Sequence, residues 1–447
     1  MKEKRIIIIG AGPCGLGAAW RLFELGHKNF TVYEQHPYVG GLATSFIDPG
    51  GFTWDVGVHV IHSHYQYFDD VFEKVMHGDY YTHVRQSWVW IHDRFVPYPF
   101  QLNIRYLPKS VLADCLNGLE RIPKNIQPGN FLEWISASFG TGIAKHFMVP
   151  FNEKIWAYPL EKMNYAWIGD RVATVDVARV KRNIRERRDD ISWGPNHIFK
   201  FPKKGGTGEI WRRVAHPLHT HIRLNTSVVD VDARRHTISF SDGNTEPYDV
   251  LFSTVPLDLF SKMIQGIPLP GVDKALHASS VTIVGLGIQG RAPEHIAEKC
   301  WIYYPQADVP FYRATVFSHY SPQNVPSGTW SLLLEVSSSR HRPIDKRKVV
   351  DAVIRGARKV TLLRKTDTLV SRWIHSVPHG YPTPTLERDR YVDRILDYLK
   401  AHRIISRGRF GTWKYEISNQ DHTFMQGVEW VNKILLGEEE KTLIVHH

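Results

Sequence analysis

The sequence predicts an α/β fold with a parallel sheet near the N-terminus, an inserted helical lobe and an antiparallel β-sheet domain. The run from Arg5 to Ile9 is apolar and β-branched, which is typical of a strand buried on both faces of a parallel sheet. Residues 105–190 show mostly helical patterns separated by prolines and glycines. Residues 222–254 and 280–340 contain short strand patterns between turns, which indicate the second sheet.

A glycine-rich turn follows the first predicted strand and opens a helical pattern. This order is typical of a Rossmann-like dinucleotide-binding unit: Gly10 permits the tight turn, Gly12 lets the backbone approach a pyrophosphate, and Gly15 allows close helix–strand packing. The helix N-terminus then faces the phosphates with its partial positive charge. Glu34 ends the second predicted strand, 30–33, and is placed to accept hydrogen bonds from a ribose diol. The alternative is a glycine-rich turn without a ligand.

The charge balance favours an anionic partner. The chain of 447 residues has 56 Lys and Arg against 45 Asp and Glu, a formal net charge of +11. Nucleic acid, an anionic membrane and phosphorylated small molecules would all suit this excess. The densest basic stretch, 179–188, lacks the interleaved aromatic residues of a nucleic-acid patch. It is interpreted as a solvated helix face or as a surface that steers anionic substrates, and no nucleic-acid partner is expected.

Cysteine, apolar and histidine patterns exclude further classes. The three cysteines form no CxxC pair, which favours a reducing compartment over a disulfide framework. No apolar run reaches the roughly 18 residues of a membrane span, so we expect a cytoplasmic protein without a membrane partner. His59, His62 and His64 are close in sequence, but their spacing fits neither face of a strand, and no metal site is predicted.

Several longer motifs resemble those of eukaryotic-type UDP-galactopyranose mutases, from about residue 5 to residue 435. They are Gly57-x-His59-Val-Ile-x-Ser-His64-Tyr, Val96-Pro-Tyr-Pro-Phe-Gln101, Phe201-Pro-x-x-Gly-Gly-Thr-Gly, Lys299-Cys-Trp301-x-Tyr303, Pro310-Phe-Tyr-Arg313-Ala-Thr, His379-Gly-Tyr381-Pro-Thr-Pro-Thr-Leu-Glu-Arg388 and Ser406-Arg-Gly-Arg409-Phe-Gly-x-Trp-x-Tyr415-Glu-x-x-Asn419-Gln420. A second glycine turn, Gly40-Gly41-Leu42-Ala43, is similar to that of FAD enzymes of the amine-oxidase and glutathione-reductase superfamily.

The resemblance implies a mutase that binds FAD and interconverts the pyranose and furanose forms of a UDP-sugar, such as UDP-galactopyranose and UDP-galactofuranose, without net redox change. N5 of the reduced flavin would attack the anomeric carbon and expel the nucleoside diphosphate. NADPH is implied as a transient reductant, and the oligomeric state is left open. Two other classes stay open: a flavin oxidase of the amine-oxidase type, and a non-catalytic protein that binds sugar nucleotides or nucleic acid.

The resemblance also implies roles for particular residues. Arg171 and Arg313 would clamp the diphosphate, and His59 would lie against the isoalloxazine. Substrate binding is implied for Tyr98, Phe100, Gln101, Asn152, Trp156, Asn196, Trp301, Tyr303, Tyr320, Tyr381, Arg409 and Tyr415. Cofactor binding is implied for Gly10, Gly12, Gly15, Glu34, Gly41, Leu42, Val58, Asn419 and Gln420. Segments 169–173 and 193–196 resemble mobile flaps that close on substrate.

The expected division of the chain follows the same resemblance. Residues 1–100 would form the first part of the FAD-binding domain, and 101–190 the helical lobe with a substrate flap. Residues 191–260 would supply return strands of the FAD domain, including Phe252 to Pro256, and a second flap. Residues 261–400 would form the β-sheet substrate domain with helices, and 401–447 the segment that closes the FAD and substrate sites.

Three positions depart from the family pattern. Val58 stands where the family has a second glycine, and a valine restricts any backbone conformation with positive φ. His62 replaces a phenylalanine with a polar, titratable ring. Phe151 replaces a tyrosine and loses a hydroxyl beside Asn152. These changes predict altered substrate selectivity, in the sugar or even in the base, with the chemistry retained.

Overall fold

The computed structural model describes residues 3–123, 126–169, 172–173, 175–191, 197–267, 269 and 271–444. The strands are β1 Ile6–Ile9, β2 Phe30–Tyr33, β3 Ser45–Ile47, β4 Thr53–Asp55, β5 Tyr80–Val84, β6 Ser87–Ile91, β7 Arg94–Pro97, β8 Ile198–Pro202, β9 Ile222–Arg223, β10 Val228–Asp232, β11 Thr237–Phe240, β12 Thr245–Pro247, β13 Val250–Ser253, β14 Ile264–Gln265, β15 His277–Gln289, β16 Trp301–Tyr303, β17 Arg313–Val316, β18 Thr329–Ser338, β19 Leu369–Thr383 and β20 Ile404–Ser406. The helices are α1 Pro13–Glu24, α2 Gln66–Met76, α3 Lys109–Glu120, α4 Phe131–Ile143, α5 Val149–Trp156, α6 Val177–Arg185, α7 Gly208–Ala215, α8 Leu257–Met263, α9 Val272–Ala275, α10 Glu294–Ala297, α11 Val349–Lys359, α12 Arg388–Ala401 and α13 Gln420–Leu436.

A five-stranded parallel sheet forms the centre of the N-terminal domain, in the order β20-β13-β1-β2-β9. β1 is buried along its whole length, as the apolar run predicts. Its neighbour β13 comes from far along the chain, and Ile8 pairs with Phe252. The predicted return strand is therefore confirmed, and the sheet is assembled from dispersed segments.

Two helices cover one face of this sheet at very close range. α13 crosses α1, and glycines stand at the crossing: a Cβ added at Gly17 would lie 2.2 Å from the Phe424 carbonyl oxygen. A Cβ at Gly427 would lie 2.2 Å from the carbonyl oxygen of Cys14. The C-terminal helix is thereby fixed against the helix that begins at the glycine fingerprint.

The second sheet has seven strands in the order β19-β15-β18-β17-β16-β6-β7. Neighbouring strands in this sheet run antiparallel, except for β16 and β6, which run parallel to each other. β15 and β18 are long and almost wholly buried. β6 and β7 precede the helical lobe in sequence yet extend this sheet, and the expected domain boundaries stay a prediction. A smaller four-stranded sheet, β12-β11-β10-β14, packs beside the parallel sheet.

The helical lobe lies between β7 and β8 and consists of α3 to α6, with a π-helical segment, Ala144–Met148, that joins α4 to α5. α3 and α4 approach closely, because a Cβ at Gly142 would lie 2.3 Å from the Asp114 carbonyl oxygen. Lys154 fixes α5 to the second sheet: its buried ammonium donates to the carbonyl oxygens of Tyr304, Gln306 and Phe311. The predicted fold class is confirmed. Within the described ranges, no helix is both long and apolar enough to cross a bilayer.

Candidate functional site

The N-terminus of α1 forms a cradle without side chains. Gly10 has a φ of +100°, and its amide donates to the Tyr33 carbonyl oxygen at 2.8 Å. Gly15 allows α1 to touch the turn, because a Cβ there would lie 1.9 Å from the Gly10 carbonyl oxygen. Gly12 is the N-cap of α1, without a side-chain capping bond, and the nearest atom to a Cβ there would be Gly41 Cα at 3.9 Å. The half-buried helix N-terminus and the two glycine turns, which approach each other without side chains between them, fit a pyrophosphate.

Glu34 stands beside this cradle and is 7% exposed. Its carboxylate accepts the Ala11 amide at 2.9 Å and the His36 amide at 3.0 Å. Each oxygen keeps a further lone pair, so the group can hold the turn and still accept from a ribose diol. Leu42 lies in a 3₁₀ turn, Gly41–Ala43, and is half-buried between two apolar clusters.

His59 Nδ1 and Gln420 Nε2 are among the buried side-chain polar atoms that lack a hydrogen-bond partner within the described residues. The Trp211 indole donates to Gln420 Oε1 at 2.7 Å, which fixes the orientation of that amide. Gln420 begins α13, and the exposed Asn419 is its N-cap. Burial, followed by the nearby charge of Arg409, lowers the pKa of His59 to about 4. A neutral imidazole and an orphaned amide fit a polar ring system such as isoalloxazine, whose edge offers both donors and acceptors.

Asp55 stabilises the loop 57–59, which carries His59, through hydrogen bonds with Ser45 and Thr207. This carboxylate accepts the Ser45 hydroxyl at 2.5 Å and the Thr207 amide and hydroxyl at 3.1 and 2.9 Å. The Thr207 hydroxyl also contacts the His59 carbonyl oxygen. Burial raises the pKa of Asp55 to about 7. Gly57 takes the left-handed conformation at φ +86°, whereas Val58 stays outside the positive-φ region. The valine therefore fits this loop conformation without backbone strain.

On the other side of His59, the strands β17, β18 and β19 present a charged and phenolic cluster. Arg313 and Glu335 face each other in register and form a two-pronged ion pair at 2.8 and 2.7 Å. Tyr312 donates to Glu335 at 2.5 Å, and the hydroxyls of Tyr312 and Tyr381 are 3.1 Å apart. Burial raises the pKa of Tyr381 to about 12, so it remains a hydrogen-bond donor at neutral pH.

Arg409 completes this cluster from the C-terminal segment. Its guanidinium donates to the carbonyl oxygens of Gly380 at 3.0 Å and Ser418 at 3.3 Å. It also lies 5.3 Å from the ring centre of Tyr381 and 5.6 Å from that of Tyr415. The predicted residues Arg313, Tyr381, Arg409 and Tyr415 are thus brought together, although three separate segments of the chain supply them.

Aromatic residues line the neighbouring region. The ring centres of Tyr98 and Tyr303 are 5.2 Å apart, and the Trp301 indole donates to the Tyr303 hydroxyl at 2.8 Å. Phe151 packs against Tyr303 at 5.0 Å. Arg85, which sequence reasoning missed, lies over the rings of Tyr98 and Trp301 at 5.4 and 5.1 Å. The region therefore offers flat aromatic surfaces together with the cationic side chain of Arg85. An arginine beside an aromatic-rich strand was the only sequence signal for it.

Most of the remaining predicted substrate residues are more deeply buried. Phe100 and Gln101 are fully buried, and the Gln101 amide donates to the Ala173 carbonyl oxygen at 2.7 Å. Trp156 is 1% exposed and packs against Tyr415 at 5.1 Å. Tyr320 is fully buried with its hydroxyl directed at the Cys300 carbonyl oxygen, 3.3 Å away. The half-buried Asn152 donates to the Met148 carbonyl oxygen at 2.8 Å. Arg171 and Asn196 lie outside the described residues, as do residues 170–171 of the predicted flap 169–173 and the whole predicted flap 193–196.

The basic run at 179–188 is partly neutralised. Arg179 pairs with Asp190 at 2.6 Å, and Lys181 pairs with Glu120 at 2.5 Å. α6 buries Val180 and Asn183 and exposes most of its basic side chains. This pattern agrees with a solvated helix face, and the role in substrate steering stays a prediction.

The histidines at 59–64 do not cluster with one another. His62 donates from Nδ1 to the Ile198 carbonyl oxygen at 3.0 Å. His64 instead joins Asp421 and His422, whose possible ligand atoms lie within 4.8 Å of one another. Both rings donate to the Asp421 carboxylate, at 2.7 and 3.0 Å, so these three residues already satisfy one another by hydrogen bonds.

Comparisons with known proteins agree with this geometry. The chain superimposes on a crystal structure of reduced UDP-galactopyranose mutase with a TM-score of 0.97 and 45% identity, covering 99% of this chain and 96% of that one. The flavin-containing amine oxidoreductase family matches residues 13–403. The chain belongs to this family, in its UDP-galactopyranose mutase branch. The predicted resemblance is confirmed, and FAD is the cofactor that the family and the glycine cradle indicate.

More distant relatives share only parts or only the fold. A zeta-carotene desaturase of Zea mays is 35% identical over 71 residues, which are 16% of this chain and 12% of that protein. The chain thus matches only a small part of the length of such curated relatives. A putrescine oxidase structure is 15% identical with a TM-score of 0.67, over 97% of this chain and 99% of that one, which shows a common fold alone.

Proposed function

We propose that the protein is a flavin-dependent mutase that interconverts UDP-galactopyranose and UDP-galactofuranose, or the corresponding forms of a related UDP-sugar. One observation carries the proposal: 45% identity over 99% of the chain to a structure of reduced UDP-galactopyranose mutase. The arginine and tyrosine cluster around Arg313 supports it, because the amine substrate of an amine oxidase carries no diphosphate for such a cluster to bind.

The reaction is redox-neutral. The anomeric carbon loses and regains its bond to the UDP oxygen. The sugar ring, which is closed by O5 in the pyranose, is closed by O4 in the furanose. When bound and reduced, FAD supplies the electron-rich N5 that displaces the diphosphate. NADPH is proposed as the reductant that prepares the cofactor, and it is not consumed in each turnover.

The protein's own residues would bind the leaving diphosphate and exclude water. Arg313, Tyr381 and Arg409 present donors on one side of the His59 loop, where negative charge develops on the departing phosphate. Arg171 is proposed as the second clamp by its match to the family motif. Tyr98 and Tyr303 supply flat faces for the base or sugar. His59 remains neutral at pH 7, so it can face the flavin without adding charge.

The departures from the family pattern are proposed to tune selectivity. His62 anchors its loop to β8 through the Ile198 carbonyl oxygen, a bond that phenylalanine cannot make. Phe151 presents a bare ring to Tyr303. We expect His62→Phe and Phe151→Tyr to change the ratio of kcat/KM among UDP-sugars by roughly tenfold, as one altered polar contact can do.

Product analysis tests the proposed function. The anaerobic, dithionite-reduced holoenzyme is incubated with UDP-galactopyranose, UDP-glucose and UDP-arabinopyranose, and the products are separated by chromatography. A furanose product formed only by the reduced protein is expected. Oxygen consumption with peroxide formation on an amine would instead identify an oxidase and overturn the proposal.

A further inference from the structure

Glu335 is a buried carboxylate at the point where the Arg313 cluster meets the loop 57–59. It is 2% exposed. Its Oε1 accepts Arg313 Nε at 2.8 Å and the Val58 amide at 3.3 Å. Its Oε2 accepts Arg313 Nη2 at 2.7 Å and the Tyr312 hydroxyl at 2.5 Å. Four donors from three residues, in two segments of the chain, therefore converge on one carboxylate, which has about four lone-pair sites to offer.

This pairing determines how Arg313 faces the site. Glu335 occupies the Nε edge of the guanidinium, so the Nη1 edge is directed elsewhere. Within the described part of the chain, Nη1 has no hydrogen-bond acceptor, and the Arg313 side chain is 18% exposed. A planar guanidinium held on one edge presents its other edge in a fixed direction, which suits an anion. A diphosphate bound there would compete with Glu335 for the same positive charge.

We propose that Glu335 is a positioning residue that couples occupation of the Arg313 anion site to the backbone of the loop 57–59. The inference rests on the proposed function, because that function places the UDP diphosphate at Arg313. An anion at Arg313 draws the guanidinium charge away from Glu335. The carboxylate then becomes a stronger acceptor for the Val58 amide, and the loop that carries His59 is held more tightly. By linkage, a loop held in this position strengthens the binding of UDP in turn.

A purely structural role for Glu335 would predict the same contacts but no response to ligand. A response to ligand is expected because Glu335 Oε1 accepts hydrogen bonds from both Arg313 Nε–H and the Val58 amide. A change at Arg313 is therefore felt at Val58. The Val58 bond, at 3.3 Å, is the longest of the four and has the most room to shorten. The response should therefore be largest at the Val58 amide.

Amide hydrogen exchange of the oxidised holoenzyme measures this response. Exchange is followed in peptides covering residues 57–62, without ligand, with saturating UDP and with saturating uridine. UDP is expected to slow exchange at Val58 by about fivefold or more, the lower range of measured coupling between sites. Uridine lacks the diphosphate and should leave exchange at Val58 unchanged.

Substitutions of Glu335 separate coupling from folding. Glu335→Asp retains the charge but withdraws the carboxylate by one methylene, so it is expected to pair with Arg313 and lose the Val58 contact. UDP should bind within about threefold of the wild-type affinity, yet protection at Val58 should vanish. Glu335→Gln should lose protection as well and weaken UDP binding by roughly tenfold or more, because an amide has one acceptor oxygen and cannot hold the Arg313 fork in its direction. Glu429→Gln is the matched control, since Glu429 is also buried but bonds to Thr442 away from this cluster.

Equal protection with UDP and uridine in the wild type would overturn the inference, whether or not any variant folds. Protection that persists in Glu335→Asp would also overturn it. A failure of the proposed function looks different, because the wild-type protein would then neither bind UDP nor form a furanose product. A wild type that binds UDP and turns over, with Val58 unaffected, contradicts the coupling alone.

Discussion

Replacement of Gly12 by alanine tests the cofactor cradle directly. Gly12 has φ −77° and ψ −180°, a conformation that alanine adopts without strain. A Cβ there would meet nothing closer than Gly41 Cα at 3.9 Å, an ordinary contact distance. The apoprotein should therefore keep its stability to within about 0.5 kcal/mol. The same Cβ occupies the space through which a pyrophosphate would approach the α1 N-terminus, so the affinity for FAD should fall by roughly 100-fold.

Gly15→Ala provides the contrast. Its Cβ would lie 1.9 Å from the Gly10 carbonyl oxygen, so α1 must move away from the turn by more than 1 Å. That variant should lose both stability and FAD binding. FAD titration of the apoprotein by flavin fluorescence, together with thermal unfolding without flavin, measures the two effects. Wild-type FAD affinity in Gly12→Ala would refute the cradle, and equal instability of the two variants would refute the geometric distinction.

Three further predictions concern Asp55, Lys154 and Arg409. The folded-state pKa of Asp55 is about 7, above its ordinary 3.8, so the carboxyl binds its proton more tightly in the folded protein. Its contribution to stability is therefore lost as the pH rises from 4 to 7. Asp55→Asn should remove a slope of up to about 1.4 kcal/mol per pH unit from the free energy of unfolding measured across that range. Lys154→Met leaves three carbonyl oxygens without their lysine donor and should lower the free energy of unfolding in guanidinium by about 3 kcal/mol. Lys145→Met, the control at an exposed lysine, should change it by less than about 0.5 kcal/mol. In Arg409→Lys, the lysine ammonium cannot reach both the Gly380 and the Ser418 carbonyl oxygens, so UDP binding measured by calorimetry should weaken by roughly tenfold. An unchanged affinity for UDP would show that Arg409 is not part of the binding site.

The first βαβ unit could be predicted from sequence because its signals are local. The apolar run of β1, the three glycines and Glu34 lie within one short stretch, and each has a single structural use. The return strand β13 could be predicted for a similar reason, as an apolar strand followed by Thr254 and a proline. In all these cases the pattern depends on neighbours in the chain.

Features that depend on distant pairing were missed. β19 runs over fifteen residues with half-exposed side chains and includes Pro378 and Gly380, so its sequence resembles a loop. Glu335 lies in an apolar strand, and only the register with Arg313 shows its partner. The contact between His64 and Asp421 joins residues 357 positions apart. No spacing rule within one sequence predicts such contacts.

The number of product molecules formed per reduced flavin distinguishes a redox-neutral mutase from a flavin oxidase. The holoenzyme is reduced anaerobically with one equivalent of dithionite, excess reductant is removed, and UDP-galactopyranose is added. Each flavin is expected to support many turnovers to UDP-galactofuranose and to remain reduced throughout. Product limited to one molecule per flavin, with the flavin becoming oxidised, would contradict a redox-neutral mutase.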